Sequence, residues 1–262
     1  MGSTLEIPAL DVAASALQEN RSEYDITLKL FFLPLASSES SARAVQTREA
    51  LRLVLEELHM PSIDLLIVSF PGIYFDEEED CPTKLSTREK DADTEAESLE
   101  SLLATWSDLC SLVDEGLVQK LGVAEFGRDR LANFLDKLDG KHKPSVDQIN
   151  LRDCCSVPKD LMALAKSKSI ELLVHNDCSN ILPRGTLRDL LGPQGAGVLA
   201  EGAKTGDKRK SLHGEDGIKG TVEGGRLRGE VQPLWVVKYT AVVRLRGVVE
   251  CKGYFAGAEV IE

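Results

Sequence analysis

The chain alternates between two patterns of apolar residues: short β-branched runs, and longer stretches in which apolar residues recur about every 3.6 positions. The short runs predict strands and the longer stretches predict amphipathic helices. We predict strands at 25–32, 64–69, 118–124, 146–151 and 170–174, and helices at 42–59, 95–115, 128–139 and 158–168. Because strands and helices alternate, the pattern predicts an α/β protein with parallel strands and right-handed crossovers.

Residue types at the helix ends refine these limits. Thr94 and Glu97 have the spacing of a capping box at the start of the second helix, and Gly116 is a typical stop signal after it. Gly140 predicts the end of the third helix. Pro158 is expected at the first position of the fourth helix, where its missing N–H costs no hydrogen bond.

The C-terminal region departs from this alternation. Residues 233–257 are rich in Val, Tyr, Phe and Trp, which predicts two strands that turn near Arg246 and Gly247. An acidic segment at about 76–93 predicts a solvated loop. Residues 192–230 hold eleven of the 21 glycines, which predicts a flexible insert. We therefore expect an α/β domain at 1–191, the insert at 192–230, and a β segment at 231–262 that packs on the same domain.

Composition limits the classes of function. The chain has 31 basic and 43 acidic residues, and this net charge of -12 argues against nucleic-acid binding, which requires a basic face. No apolar run approaches the roughly 20 residues needed to span a bilayer, and the N-terminus lacks the pattern of a signal peptide. We therefore expect a cytoplasmic protein without membrane contact, whose six cysteines are reduced thiols.

Two of the predicted strands resemble strands of the aldo-keto reductase barrel. The sequences DLLIVSFP at 64–71 and LGVAEF at 121–126 carry the resemblance. In those reductases the first motif reads Asp-Leu-x-x-x-His-x-Pro, and its histidine helps to protonate the carbonyl oxygen of the substrate. Ser69 stands at that position in this chain, whereas Lys29, in ITLKLF, falls where the reductase lysine lies.

The resemblance leaves the rest of the reductase machinery without a match. The tyrosine acid and its aspartate partner belong to a preceding strand and helix that this sequence does not contain, and no Lys-Ser-x-x-x-x-Arg clamp for NADPH is visible. Loss of a general acid alone costs about 10²–10⁴-fold in rate. We therefore predict no catalytic residue and no cofactor. Lys29 is interpreted as a remnant paired with a core carboxylate, with a substrate-contacting lysine as the alternative.

The same resemblance implies an incomplete TIM-type (β/α) barrel, in which the first strands are absent and the C-terminal β segment is an addition. Five strands do not close an eight-stranded barrel. Because the unpaired N–H and C=O groups of an edge strand invite association, we expect a partner protein to cover the edge left by the missing strands. The alternative is that those strands precede this sequence in a longer chain.

Two longer blocks resemble a branch of this family, the regulatory (modifier, light-chain) subunits of glutamate–cysteine ligase. The blocks are 147–177, which holds an adjacent cysteine pair and ends in His-Asn-Asp, and 233–259, which has no counterpart in ordinary reductases. The resemblance implies a heterodimer with the catalytic subunit, improved use of glutamate and relief of feedback inhibition by glutathione. Two alternatives stay open: an NADPH-dependent oxidoreductase that uses Lys29, and a thiol redox sensor at Cys154 and Cys155.

Strand ends are where such barrels place function, and polar residues follow several of the predicted strands. These residues are Ser69, Glu125, Cys154, Cys155, His175, Asn176 and Asp177. The adjacent cysteines fit tetrahedral zinc poorly, because zinc ligands are usually two to four residues apart, and we predict no metal site. A buried thiol pair is the simplest interpretation, and a regulatory thiol that bonds a partner is the alternative. We expect His175 to be a hydrogen-bonded structural residue rather than a base.

The remaining candidates lie in the C-terminal segment. Its aromatic residues are potential partner anchors because aromatics are enriched at binding hot spots, and packing onto the barrel is the competing interpretation. These aromatics are Trp235, Tyr239, Tyr254 and Phe255. The complete set of predicted partner or redox contacts is Cys154, Cys155, Cys251, Trp235, Tyr239 and Tyr254.

Overall fold

The computed structural model describes residues 17–34, 39–75, 96–138, 142–151, 156–177, 181–182, 186–192, 197–198 and 230–261. Its strands are β1 (Tyr24–Phe32), β2 (Ile63–Ser69), β3 (Val118–Ala124), β4 (Val146–Asn150), β5 (Glu171–His175), β6 (Glu230–Val243) and β7 (Val248–Ile261). Its helices are α1 (Ser40–Leu58), α2 (Leu99–Asp114), α3 (Arg128–Lys137), α4 (Lys159–Lys168) and α5 (Thr186–Leu191). No helix in these residues is both long and apolar enough to cross a membrane.

Within the described residues, the strands form one sheet in the order β5-β4-β3-β2-β1-β6-β7. Strands β1 to β5 run parallel to their neighbours, and helices connect them in the predicted alternation. Strands β6 and β7 form an antiparallel hairpin that continues the sheet. The sheet stays open, which confirms the predicted α/β fold with an incomplete barrel and a C-terminal β segment.

The edge of β1 is covered by the chain itself, contrary to the expectation that a partner would cover it. All nine residues of β1 pair with β6, from Tyr24 opposite Val243 to Phe32 opposite Trp235. The physical reason is the length of the apolar, β-branched run in β6, which supplies enough strand to satisfy the whole backbone edge of β1. Among the described residues the sheet therefore ends at β7.

The two faces of the sheet differ in how much core they bury. The face toward the helices carries the large core, in which Trp106, Phe126 and Phe134 make edge-to-face aromatic contacts with centroids 5.3–5.5 Å apart. The other face, which would be the inside of a closed barrel, buries a small cluster of Ile67, Ala124 and Val146. Functional side chains on this thin inner face lie close to solvent at the strand ends.

The helix limits correct two of the predictions. Helix α2 begins at Leu99, and its N-cap is Ser98, whose Oγ accepts a hydrogen bond from the Ser101 N–H at 3.3 Å. The predicted capping box is therefore wrong at Glu97, because that carboxylate is drawn instead into a buried ion pair with Arg43 at 2.7 Å. Thr94 lies outside the described residues.

The ends of the other helices are shifted by one or two residues. Pro158 is the N-cap of α4 rather than its first helical residue, because its ψ of 135° is extended. Helix α3 ends at Lys137 with Leu138 already extended, before Gly140, which lies outside the described residues. Gly116 is confirmed as the stop after α2, with a φ of 75°. The predicted hairpin turn is confirmed at Gly247, with a φ of 60°.

Several predictions fall outside the described residues. Most of the acidic segment and of the glycine-rich insert does so, at 76–95 and 199–229. The cysteine pair Cys154–Cys155 also does so, and the boundaries proposed for the insert stay a prediction.

Candidate functional site

Charged side chains from four strands meet on the inner face, at the carboxyl ends of the parallel strands. Lys29 comes from β1, Glu125 follows β3, His175 ends β5, Asp177 lies two residues later, and Lys238 comes from β6. We call these five residues the Asp177 cluster. Lys29 reaches it from mid-strand because its side chain lies on the inner face, which is otherwise apolar around Ile67.

Asp177 is the centre of the cluster. Its Oδ2 accepts a hydrogen bond from Lys29 Nζ at 3.0 Å, and its Oδ1 accepts one from Lys238 Nζ at 2.7 Å. Its backbone carbonyl accepts a third bond, from Asn150 Nδ2 at 3.1 Å. The side chains of Lys29 and Asp177 are 5% and 10% exposed, whereas that of Lys238 is 36% exposed. One lysine is thus buried with the carboxylate, and the other closes the cluster from the solvent side.

His175 joins Asp177 to Glu125. Its Nε2 lies 2.6 Å from Oε1 of Glu125, and its Nδ1 lies 3.1 Å from the backbone N of Asp177 and 3.2 Å from the Oδ2 of Asp177. A neutral ring donates from Nε2 and accepts the Asp177 N–H at Nδ1. A protonated ring donates from both nitrogens, to the two carboxylates. Protonation of the ring therefore exchanges the bond from the Asp177 N–H for one that Nδ1 donates to the Asp177 carboxylate, while the bond to Glu125 is kept.

Glu125 is held in an unusual backbone conformation. It has a φ of 66°, which is the left-handed region that non-glycine residues rarely adopt, at the point where β3 ends. Its Oε2 accepts the backbone N–H of Phe75 at 3.2 Å, and its Oε1 contacts His175. These two bonds tie the segment after β2 to the end of β5, and they offset the strain of the backbone.

The cluster shifts the pKa values of Asp177, Lys29 and His175. Burial alone would raise the pKa of Asp177, but hydrogen bonds from His175, Lys238 and Lys29 outweigh it and hold that pKa far below its ordinary value. Burial lowers the pKa of Lys29, and Asp177 offsets only part of this effect. Burial would also lower the pKa of His175, yet its hydrogen bonds to Asp177 and Glu125 raise it overall. Asp177 is therefore a firmly ionised carboxylate.

The structure shows where four of the residues singled out in the sequence lie. Lys29 is paired with a core carboxylate, as predicted, and His175 is hydrogen-bonded on both ring nitrogens. Ser69 lies at the end of β2 beside Phe31, on the same face as Lys29 and two positions beyond the residue that pairs with it. Asn176 is exposed, whereas its two neighbours are partly buried.

Lys238 is the member of the cluster that sequence reasoning missed. The signal was present, because a lysine in the middle of the apolar run LWVVKYTAVV must either face solvent or find a carboxylate. Pairing of β6 with β1 places Lys238 directly opposite Lys29, and two adjacent ammonium groups require a shared anion. Asp177 provides it.

The predicted partner contacts divide into buried and exposed residues. Trp235 and Tyr239 are buried against the sheet and lie over Gly257 and Gly253, where a Cβ atom would come within 2.2 Å of the Trp235 ring and 2.4 Å of the Tyr239 hydroxyl. The packing interpretation therefore describes these two aromatics, and the anchor interpretation is wrong for them. Tyr254 is 59% exposed and stays a potential contact.

Cys251 is a partly buried thiol. Burial raises its pKa, and the hydrogen bond with Tyr239 offsets only part of this effect, so the thiolate that redox chemistry needs is disfavoured. In the part of the chain that the structure describes, no group of His, Cys, Asp and Glu side chains is arranged to hold a metal ion.

The sequence was compared with family models and with known proteins. The sequence model described as the aldo/keto reductase family matches residues 6–185. The chain is 25% identical to the glutamate–cysteine ligase regulatory subunit of Homo sapiens, over 92% of this chain and 68% of the relative. It is 26% identical to the putative glutamate–cysteine ligase regulatory subunit of Schizosaccharomyces pombe, over 94% of this chain and 75% of the relative.

Reductases are matched over shorter parts of the chain. Aldo-keto reductase family 1 member C23 of Equus caballus is 32% identical over 52% of this chain, and the match spans 40% of that protein. Among solved structures, the aldo-keto reductase of Bombyx mori in complex with NADP is 21% identical, with a TM-score of 0.39. That match covers 61% of this chain and 43% of the reductase.

Proposed function

The chain belongs to the aldo/keto reductase family, and we propose that within this family it is a regulatory subunit of glutamate–cysteine ligase with no chemistry of its own. It binds the catalytic subunit as a heterodimer in the cytoplasm and serves glutathione biosynthesis. There it improves the use of glutamate by that subunit and relieves its feedback inhibition by glutathione. The similarity over 92% of the chain to subunits that carry this name supports the proposal.

The observation that supports the absence of catalysis is the set of side chains at the carboxyl ends of the parallel strands. Ser69 stands where a reductase of this type has its histidine, and a serine hydroxyl is a poor proton donor at neutral pH. Lys29 is neutralised by Asp177, and His175 is hydrogen-bonded to two carboxylates. The charged groups that remain are thus engaged with one another, as expected for a site kept for its structural role.

Regulation by such a subunit is a matter of coupling free energy. A regulatory chain raises the affinity of its partner for glutamate only if it binds the glutamate-competent conformation of the partner more tightly than the alternative. A rigid scaffold with no turnover of its own is sufficient for that task. By the same linkage, glutamate must strengthen the binding of the two subunits to each other.

The test mixes the purified chain with the catalytic subunit of glutamate–cysteine ligase. We expect the two proteins to co-elute in size-exclusion chromatography, with a lower KM for glutamate and weaker inhibition by glutathione. An equal amount of an active aldo-keto reductase serves as the protein control and should change neither value. Separate elution together with unchanged kinetics would refute the proposal.

A second candidate function, an NADPH-dependent oxidoreductase, has one observation in its favour. Tyr254 lies directly opposite Lys238 in the pairing of β6 with β7, at the solvent side of the Asp177 cluster. A tyrosine beside a lysine is a plausible proton donor to a carbonyl oxygen. Titration of NADPH fluorescence and an aldehyde reduction assay distinguish the two functions. Saturable binding and turnover that disappear in Tyr254→Phe favour the enzyme, and their absence in the unmodified chain favours the regulatory subunit.

A further inference from the structure

We infer that the Asp177 cluster is a pH-sensitive switch, in which protonation of His175 releases Lys238 of β6 from Asp177 and deprotonation restores the contact. The inference goes beyond the proposed function and does not depend on it, because it concerns contacts within this chain. It rests on three features of the cluster: the donors and acceptors around one ring nitrogen, the sum of the charges, and the exposure of the two lysines.

The Nδ1 atom of His175 faces two groups of Asp177 that suit different charge states of the ring. The backbone N of Asp177 lies 3.1 Å from Nδ1, and the carboxylate Oδ2 lies 3.2 Å from it. A neutral Nδ1 accepts the N–H, whereas a protonated Nδ1 is itself a donor, so that two donors would face each other across 3.1 Å. Protonation therefore draws the carboxylate toward the ring and moves the backbone N–H away from it.

The charges of the cluster balance only while the ring is neutral. Glu125 and Asp177 bring two carboxylates, and Lys29 and Lys238 bring two ammonium groups. A proton on His175 adds one positive charge to a site in which four of the five side chains are at most 10% exposed. An unbalanced charge is costly in such surroundings. One of the three cations should therefore turn toward water.

Lys238 is the cation that can leave. Its side chain is 36% exposed, whereas that of Lys29 is 5% exposed, and a lysine stem readily carries its ammonium group to solvent. Lys238 bonds Oδ1 of Asp177, while Lys29 and His175 both lie beside Oδ2. The two lysines are directly opposite in the pairing of β1 with β6. Their mutual repulsion therefore grows when His175 takes a share of the carboxylate.

Other groups on this face do not compensate the added charge. Asn150 pairs with His175 and is uncharged, and Asp147, three residues earlier on β4, lies on the opposite face of that strand. Strand β2 contributes Ser69 and β7 contributes Tyr254, and both are uncharged near neutral pH. Further charged residues on this face are exposed and lie nearer the amino ends of their strands, among them Lys120, Glu171 and Lys252.

The switch operates near neutral pH. Burial lowers the pKa of His175, but hydrogen bonds with Asp177 and Glu125 outweigh burial and raise that pKa above its ordinary value of 6.5. Asp177 stays ionised over the whole range, because its hydrogen bonds hold its pKa far below the ordinary value in spite of burial. Lys238 is therefore released below the pKa of His175 and held above it.

The coupling between the proton and the lysine acts in both directions. If a proton on His175 weakens the contact of Lys238 with Asp177, removal of Lys238 must strengthen the binding of that proton by the same factor. We expect a factor of about two to five, which is the size typical of an ion pair that includes a partly exposed lysine.

The first test is an NMR titration of the His175 ring from about pH 5 to about pH 9, with His175→Gln to identify its signal. In Lys238→Met the ring should bind its proton about two- to fivefold more tightly, which moves the midpoint to higher pH. Lys238→Gln repeats the test with a polar side chain in case the methionine variant does not fold. The matched control is Lys252→Met, which removes an exposed lysine of β7 outside the cluster and should leave the midpoint unchanged.

Urea unfolding at about pH 5.5 and about pH 9 gives the reciprocal readout. Lys238→Met should destabilise the chain more at the higher pH, where the contact is closed, and equally at both values in a His175→Gln background. A lysine with only a structural role would cost the same at both pH values in either background, and that result overturns the inference. A midpoint of His175 that stays in place or falls in both Lys238 variants also overturns it, as does a ring that does not titrate. The proposed function is unaffected by these outcomes, since no partner subunit takes part.

Discussion

The C-terminal hairpin is attached to the parallel strands at both their amino and their carboxyl ends, and the side chains that attach it differ between the two ends. At each end, one aspartate joins β6 or the turn after it to the parallel strands. At the amino end, Asp64 accepts hydrogen bonds from Arg21 at 2.7 Å and Arg244 at 2.5 Å, and from the backbone N–H of Ile26 at 2.7 Å. At the carboxyl end, Asp177 is held by lysines and a histidine instead.

The use of arginine at the amino end, and of lysine and histidine at the carboxyl end, indicates different roles for the two attachments. Arginine stays charged at any physiological pH and binds a carboxylate with fixed geometry, so the amino end acts as a permanent fastening. Lysine and histidine can change their protonation when they are buried, so the carboxyl end keeps groups that respond to their environment. That is also the end at which barrels of this type place their active sites. The hairpin is thus attached twice, once rigidly and once through titratable groups.

The largest effect is expected when the anion of the carboxyl end is removed. Asp177→Ala leaves Lys29, which is 5% exposed, as a buried charge without a partner. Breaking a buried ion pair in this way costs about 3–5 kcal/mol of unfolding free energy. Urea unfolding followed by circular dichroism measures the loss.

The control for this prediction removes both charges. The double variant Lys29→Met with Asp177→Ala no longer buries an unpaired ammonium group, and it should recover a substantial part of the lost stability. A single variant that unfolds at the same urea concentration as the unmodified chain would show that Lys29 reaches solvent, and that the carboxyl end is no more buried than the amino end.

Sequence patterns were sufficient for the parallel part of the fold. The strand positions follow from β-branched runs, and β2 and β3 are found within one residue of the predicted limits. The strand-end rule also located Glu125, His175 and Asp177, because the carboxyl ends of parallel strands meet at one edge of a barrel. The pairing of Lys29 with a carboxylate follows from the cost of burying a charge alone.

Long-range pairing is what the sequence did not reveal. The residue types of LWVVKYTAVV predict a strand, but they do not predict that this strand pairs with β1, which lies about 200 residues earlier. That pairing decides both that the edge of β1 is covered and that Lys238 joins the cluster. The left-handed φ of Glu125 was equally hidden, since a glutamate gives no local signal for it.

A smaller loss of stability is expected at the amino end. Asp64→Ala removes the acceptor of the Ile26 N–H, and an unsatisfied buried donor costs about 1–3 kcal/mol. Loss of the two ion pairs adds less to this cost, because Arg244 is 42% exposed and can be hydrated, and Arg21 keeps its hydrogen bonds to the backbone carbonyls of Ser62 and Tyr24. The matched control is Asp25→Ala, which removes the exposed partner of Arg244 and should cost less than about 1 kcal/mol. Urea unfolding of both variants is the measurement. Equal losses of unfolding free energy in Asp64→Ala and Asp177→Ala would contradict the proposed difference between the two attachments.

Within the carboxyl end, the outer lysine should matter less than the inner one. Lys238 is 36% exposed, so its ion pair with Asp177 is partly screened by water. Lys238→Met should therefore cost about 1 kcal/mol or less, while Asp177 keeps its bonds to Lys29 and His175. The same denaturation experiment measures it. A loss as large as that of Asp177→Ala would mean that Lys238, rather than Lys29, neutralises the cluster.

The most delicate difference between the ends is a dependence of stability on pH that only the carboxyl end should show. The pKa of His175 is raised above its ordinary value of 6.5 by hydrogen bonds that outweigh the effect of burial. A raised pKa in the folded state means that the protonated ring stabilises the fold. This contribution is fully present below the unfolded pKa and is lost as the pH rises through the folded one.

Unfolding free energies measured from about pH 6 to about pH 9 should therefore fall more steeply in the unmodified chain than in His175→Gln. Asp64→Ala should keep the steep dependence, because it leaves His175 and both of its carboxylate partners in place. Asp177→Ala should flatten the dependence, because one of the hydrogen bonds that raises the pKa is gone. A profile that is the same in all four proteins would mean that His175 stays in one protonation state throughout, and that the carboxyl end is as permanent a fastening as the amino end.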